Sequence, residues 1–207
     1  MRILASRESG AARGVTLALV LVFAVLVGIA IFLGGRGKGK APRVKDAAGP
    51  VELSRTNLVL EEGRLRQPGS TTSFTGIMVE HYVDGTLRSR SVISNGVLHG
   101  LSQGWFTNGQ MQVSEVFKEG VSHGQRTKWY ADGVKQSEAG IVDGKIHGTF
   151  RKWHPNGTMS EQAEFVADKP EGTSTSWYPS GYLKARVTLR DGKPVEQTFW
   201  KDGEKKE

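Results

Sequence analysis

Three histidines, His99, His123 and His147, recur at 24-residue intervals, each immediately before a glycine. A row of imidazoles suggests a metal centre, but spacing argues against one. Equivalent positions on successive β-hairpins stand about 9–10 Å apart. Zinc holds its nitrogen ligands at about 2.0–2.1 Å, which brings them within ~4 Å of one another. The histidines therefore read as structural turn residues. The chain has no cysteine, which excludes thiolate zinc sites, a cysteine nucleophile and disulfides. Gly34-Gly35-Arg36-Gly37-Lys38-Gly39-Lys40 has the spacing of a phosphate-binding loop. Ala41-Pro42 follows, where a hydroxyl for magnesium and a helix N-terminus would be needed. Asn156-Gly157-Thr158 is a glycosylation sequon placed in a turn whose shape asks for Asn-Gly. Carboxylates such as Asp84, Asp132 and Asp143 also stand at turns, where they cap their own backbone. No catalytic constellation is present, so neither an enzyme nor a cofactor is expected.

The charge of +7 is unevenly spread over the 207 residues. Residues 1–50 carry eight Lys/Arg against two acids, net +6, whereas residues 51–207 carry twenty against nineteen, net +1. A nucleic-acid face needs cations clustered on the folded body, so no nucleic-acid partner is expected. The surplus cations flank Val15–Leu33, 19 residues without a charge. As a helix at 1.5 Å per residue this run spans about 28 Å, the thickness of a bilayer's hydrocarbon core. It is longer than the apolar part of a cleaved signal, and Arg36 follows closely. The expectation is an uncleaved single-pass anchor in a lipid bilayer, with a cleaved signal as the rival. Topology is argued both ways: the larger cationic flank lies on the C-terminal side, yet a short cationic tail before a single anchor commonly stays inside. The short cationic tail staying inside would place the body outside the cytoplasm, which is the expectation.

These elements serve a repeat. From Gly76 the chain repeats every 24 residues, with Gly76, Gly100, Gly124, Gly148 and Gly172 opening five units. Nine residues on stand Gly85, Gly109, Gly133, Gly157 and Gly181. Four residues before each is a large ring (His81, Trp105, Trp129, Trp153, Trp177), followed by a second ring row (Tyr82, Phe106, Tyr130, His154, Tyr178). A third glycine recurs at Gly96, Gly120, Gly144 and Gly192, with Asp168 breaking the series. Each unit reads as a β-hairpin, with Asp-Gly or Asn-Gly at bends that need positive φ. Strict alternation puts the tryptophans, the twelfth position (Leu87, Met111, Met159, Leu183) and the eighteenth (Ile93, Phe117, Ile141, Phe165, Leu189) on one apolar face. Lys135 is an unexplained exception in that pattern. Phe199 and Trp200 read as the two rings of a sixth unit arriving two residues early.

The aromatic-aromatic-x-Asn/Asp-Gly signature, a hydrophobic strand, then Asp143-Gly144-Lys145-Ile146-His147-Gly148, resembles MORN repeats (membrane occupation and recognition nexus), most closely the variant common in bacterial proteins. Pro68–Gly76 looks like the lead-in to a first unit, and the likeness covers about residues 58–204. It implies a β-repeat scaffold. Some proteins of this type act as antitoxins and others as membrane-proximal scaffolds.

The sequence thus predicts an all-β, elongated, single-layer sheet of stacked hairpins plus one N-terminal transmembrane helix. Its parts are a cationic tail (1–14), an anchor (15–35), a basic linker (36–56), a capping hairpin (57–75) and the repeat body (76–204). The expected function is a membrane-anchored, non-enzymatic scaffold binding a protein partner, with antitoxin-like action as one form of it. The second ring row, Tyr82, Phe106, Tyr130, Tyr178 and Trp200, is the candidate partner-binding surface. Its rings either form an exposed ladder or lie over the next hairpin and shield its turn. The alternative function is a glycan- or lipid-surface binder using the same row.

Overall fold

The computed structural model describes residues 49–204, and the tail, anchor and most of the basic linker lie outside the described residues. Among the described residues no helix is long and apolar enough to cross a membrane. A short strand β1 (Glu52–Ser54) and a single 3-10 turn (Arg55–Asn57) lead into the hairpin β2 (Val59–Glu61) and β3 (Arg64–Arg66). The repeats supply β4 (Gly76–His81), β5 (Leu87–Ser94), β6 (Val97–Trp105), β7 (Met111–Lys118), β8 (Val121–Trp129) and β9 (Lys135–Val142). They continue as β10 (Lys145–Trp153), β11 (Met159–Val166), β12 (Lys169–Trp177), β13 (Leu183–Arg190) and β14 (Lys193–Phe199). β1 and β4–β14 form one 12-stranded sheet in sequence order. β1 runs parallel to β4, and every later pair is antiparallel.

The two turns of each unit differ in kind. The second is a two-residue turn with both residues at positive φ: Asn95-Gly96, Glu119-Gly120, Asp143-Gly144, Ala167-Asp168 and Asp191-Gly192. This is the mirror-image turn whose twist matches that of paired strands. The first turn has positive φ only at its glycine, for example +83° at Gly85. There the Gly85 N–H bonds the Tyr82 carbonyl and the Tyr82 N–H bonds that of Thr86, which makes a three-residue loop. The preceding Asp or Asn is therefore not chosen for φ. Its side-chain oxygen accepts the N–H two residues on, as at Asp84 to Thr86 (2.9 Å), Asn108 to Gln110 (3.1 Å), Asp132 to Val134 (3.0 Å) and Asn156 to Thr158 (3.1 Å).

Of the repeat-opening glycines, Gly76 begins β4 and Gly100, Gly124, Gly148 and Gly172 are mid-strand; none is at a turn. Ile93 pairs with Leu98 but Ser91 pairs with Ser102, so two extra residues are accommodated around His99-Gly100. The same slip recurs at His123-Gly124 and His147-Gly148. A bulge of this kind bends the strand, and the bent turn reaches back over the preceding unit. Its N–H groups bond carbonyls 22 residues earlier: Gly96 to Phe74, Gly120 to Leu98, Gly144 to Ser122, Asp168 to Ile146.

A second slip corrects the single apolar face. Glu80 pairs with Ser89 but His81 pairs with Leu87, leaving Arg88 unmatched, and the same happens at Gln112, Gln136 and Lys184. One extra residue flips everything beyond it to the opposite side. The eighteenth position therefore faces one way and the tryptophan and twelfth positions the other. On the first side, here the cap face, Leu58, Leu65 and Phe74 of the capping segment bury Met78 and Ile93. On the other, the tryptophan face, Ile77 and Val79 pack with Leu87, Val92, Leu101 and Trp105. Lys135 finds its explanation there: its ammonium lies 5.0 Å from the centre of the Trp153 ring and 2.8 Å from Glu138.

Asp168 occupies a glycine position at φ +69°. Its side chain offsets the strain by accepting the Ile146 N–H at 2.7 Å, so two terms of similar size oppose each other. Left-handed backbone costs about 1–2 kcal/mol for a side-chain-bearing residue, and the bond contributes about 1 kcal/mol. Asp168→Ala keeps the strain and loses the bond, so urea denaturation of the full chain should show a loss of about 1 kcal/mol. Asp168→Gly loses both and should come out near neutral.

Candidate functional site

The second ring row lies along the first-turn edge of the sheet, and all its rings are half-buried. Each ring with a polar tip reaches one unit forward. The Tyr82 hydroxyl donates to the Trp105 carbonyl at 2.7 Å, Tyr130 to Trp153 at 2.9 Å, and Tyr178 to Trp200 at 3.0 Å. His154 takes the tyrosine's part in its unit, its Nε2 donating to the Trp177 carbonyl at 2.9 Å. Phe106 has no tip to offer. Cations sit over two of the tyrosine rings, Arg88 over Tyr82 and Lys184 over Tyr178, each 5.7 Å from the ring centre. The turns add links of their own, the Asn108 amide donating to the Ala131 carbonyl and the Asn156 amide to that of Pro179, both at 2.6 Å. The nitrogen of the sequon's Asn156 is thus engaged with the next turn. The row is a zipper between successive hairpins.

Trp200 belongs elsewhere. Its carbonyl receives the Tyr178 hydroxyl and its N–H bonds the Lys184 carbonyl, which is the position of a first-row tryptophan. The sixth unit is short by one residue, not two, and Lys201 takes the second-row place. The missing residue comes out of the bulge, since Thr188 pairs with Glu196 and Leu189 with Pro194, a slip of one instead of two.

The histidines line the opposite, second-turn edge. The Nδ1 of His99 accepts the Glu119 N–H and that of His123 accepts the Asp143 N–H, each at 3.4 Å. Thr75 does the same for Asn95 through its hydroxyl, at 2.9 Å. These side chains therefore satisfy the turn that reaches back over them. His147 is exposed. Among the described residues no three His, Cys, Asp or Glu side chains come together in a metal-binding group.

A polar cluster on the cap face has no counterpart in the sequence reading. Glu115, only 2% exposed, accepts Arg126 Nε and the Ser122 hydroxyl. Burying a carboxylate is tolerated only with such partners. The signal was available, because the equivalent positions hold Ser91, Ala139, Ala163 and Val187. A lone acid in that column, eleven residues before a lone arginine in another, marks a pair. On the tryptophan face Glu138 joins Lys135 and, at 3.1 Å, Arg151. Its carboxyl is held below the usual range, first by the Lys135 bond and then by Arg151, against the opposing effect of burial.

Three variants test this geometry. Tyr130→Phe should lower stability by about 1 kcal/mol in chemical denaturation, and Phe106→Tyr should raise it by about 0.5–1 kcal/mol by supplying the missing hydroxyl to the Trp129 carbonyl. A depressed folded-state pKa stabilises above the unfolded carboxylate value and is lost as pH falls through the folded one. The urea midpoint of Glu138→Gln should therefore lie below that of the parent at neutral pH, and the gap should close on acidification.

The ring, turn and bulge pattern recurs along the sheet, and comparison with known families meets it in one unit. No curated protein matches the chain. Residues 146–167, from Ile146 in β10 through β11 to the following turn, match the family model of the MORN repeat variant, so a MORN-type unit lies at that point in the sheet.

Proposed function

We propose that the chain is a membrane-anchored, non-enzymatic repeat scaffold whose sheet binds a protein partner. The observation that carries this reading is where the reactive side chains are used. His99, His123, Asp84, Asp132 and the tyrosine hydroxyls all hold turns or neighbouring units in place. What faces outward is a long, regular surface, and extended surfaces of stacked repeats serve macromolecular binding. The tether is Val15–Leu33 with its cationic flanks. A toxin is the client class that the antitoxin resemblance raises, and a cytosolic toxin requires a body on the cytosolic side. The reading does not rest on the second ring row, whose polar tips are spent on neighbours.

The test is made on the full chain in native membranes. After an alkaline carbonate wash the chain should stay in the membrane pellet, and cross-linking there should yield one stoichiometric protein adduct. Protease protection of the same membranes should shield the repeat body on the extracytoplasmic side. Release by carbonate would overturn the tether, and a chain that forms no protein adduct would overturn the scaffold.

A further inference from the structure

The cap face carries an open groove of about 690 Å³ across β5–β9, lined by Arg88, Phe106, Glu115, Arg126, Lys128 and Tyr130. That volume lies within the range of built ligand sites. Its floor passes Gly104, where a Cβ would already stand 3.2 Å from Val113 Cγ1. At this column the other units hold Glu80, Lys128, Lys152 and Ser176, so the second unit alone leaves the floor bare.

The charges in the groove are not balanced. Glu115 is the one acid of the lining, and it is committed to Arg126 and Ser122. Arg88 and Lys128 remain, both exposed, and Arg88 is held over the Tyr82 ring. Two cations thus stand above a neutralised pair. The half-buried rings of Phe106 and Tyr130 supply apolar walls. The repeat body as a whole is nearly neutral, so this is a local excess and not part of a general basic field. A ligand that fits brings carboxylates for the guanidinium and ammonium, and an apolar side chain for the rings.

We propose that this groove receives an acidic, extended segment of the protein partner, with carboxylates on Arg88 and Lys128 and an apolar side chain between Phe106 and Tyr130. The proposal rests on the protein-scaffold reading above and assigns it a surface and a partner chemistry.

The test titrates the purified full chain, in detergent, with a fluorescein-labelled octapeptide of alternating glutamate and phenylalanine. The lysine–phenylalanine counterpart and an oligogalacturonate serve as counter-probes. Anisotropy should report binding of the acidic peptide alone. Its affinity should weaken by about tenfold or more in R88A/K128A, and should fall on raising salt from roughly 50 to 500 mM. Arg186→Ala, on the tryptophan face, should leave it unchanged. Equal binding by R88A/K128A, or binding of the galacturonate without the peptide, overturns the proposal. Cross-linking in native membranes separates the two levels. If R88A/K128A keeps the partner adduct at parental yield, the groove assignment fails while the scaffold stands. If the parent itself yields no adduct, the scaffold fails, and the peptide titration alone decides the chemistry of the groove.

Discussion

A backbone N–H at the tip of four of the five mirror-image turns, those at Gly96, Gly120, Gly144 and Asp168, donates to a carbonyl 22 residues earlier, and the architecture depends on that bond. An isolated hairpin is marginal in water, so a chain of hairpins needs links that neither hairpin can make alone. The turn can reach back because the strand beneath it is bulged at the glycine that opens the unit. The bulge in turn requires a residue tolerant of positive φ, such as Gly124 at +120°. The opposite edge is closed in the forward direction, by tyrosine hydroxyls and asparagine amides reaching the next unit. The hairpins whose second turns end at Gly96, Gly120, Gly144 and Asp168 are thus fastened at both ends, and beyond the capping segment the described sheet runs as a single layer.

The period, the two turns per unit and the all-β sheet were legible because glycines and rings mark them in fixed register. Two of the three histidines, His99 and His123, hold second turns as their recurrent place before a glycine suggested. Faces were not legible. Alternation is a rule for unbroken strands, and the unmatched residue at Arg88, Gln112, Gln136 and Lys184 has no signature of its own. Its effect shows only when pairs are assigned, and it sends Trp105 and Phe117 to opposite sides. The same blindness misplaced Trp200, since the residue that the sixth unit lacks comes out of the bulge, which only pairing reveals. The Glu115–Arg126 pair lay within reach of a column-by-column comparison of the units, which would have set an acid among Ser91, Ala139, Ala163 and Val187.

The two faces have different characters. On the tryptophan face, indoles alternate with long polar side chains, as where Lys135 covers Trp153 and joins Glu138. On the cap face, small and apolar residues are deeply buried at the second-turn side, Ile93, Phe117 and Ile141 among them. The polar groups of that face collect in the middle units, around Glu115 and Arg126. Recognition that uses charge has a local foothold there, whereas the sheet elsewhere offers shape and regularity.

The overlap of turns also gives the stack a direction. The first hairpin lies under the capping segment, with Leu58 and Phe74 sealing Met78, and β1 closes its edge. The last strand, β14, is exposed at every residue, Phe199 at 66% included. Like shingles laid from one eave, the units share each joint with a successor until the series runs out. Opening in such an array starts where neighbours are fewest, so among the described strands β14 is expected to breathe first, with motion dying away toward the hairpin sealed by Leu58 and Phe74.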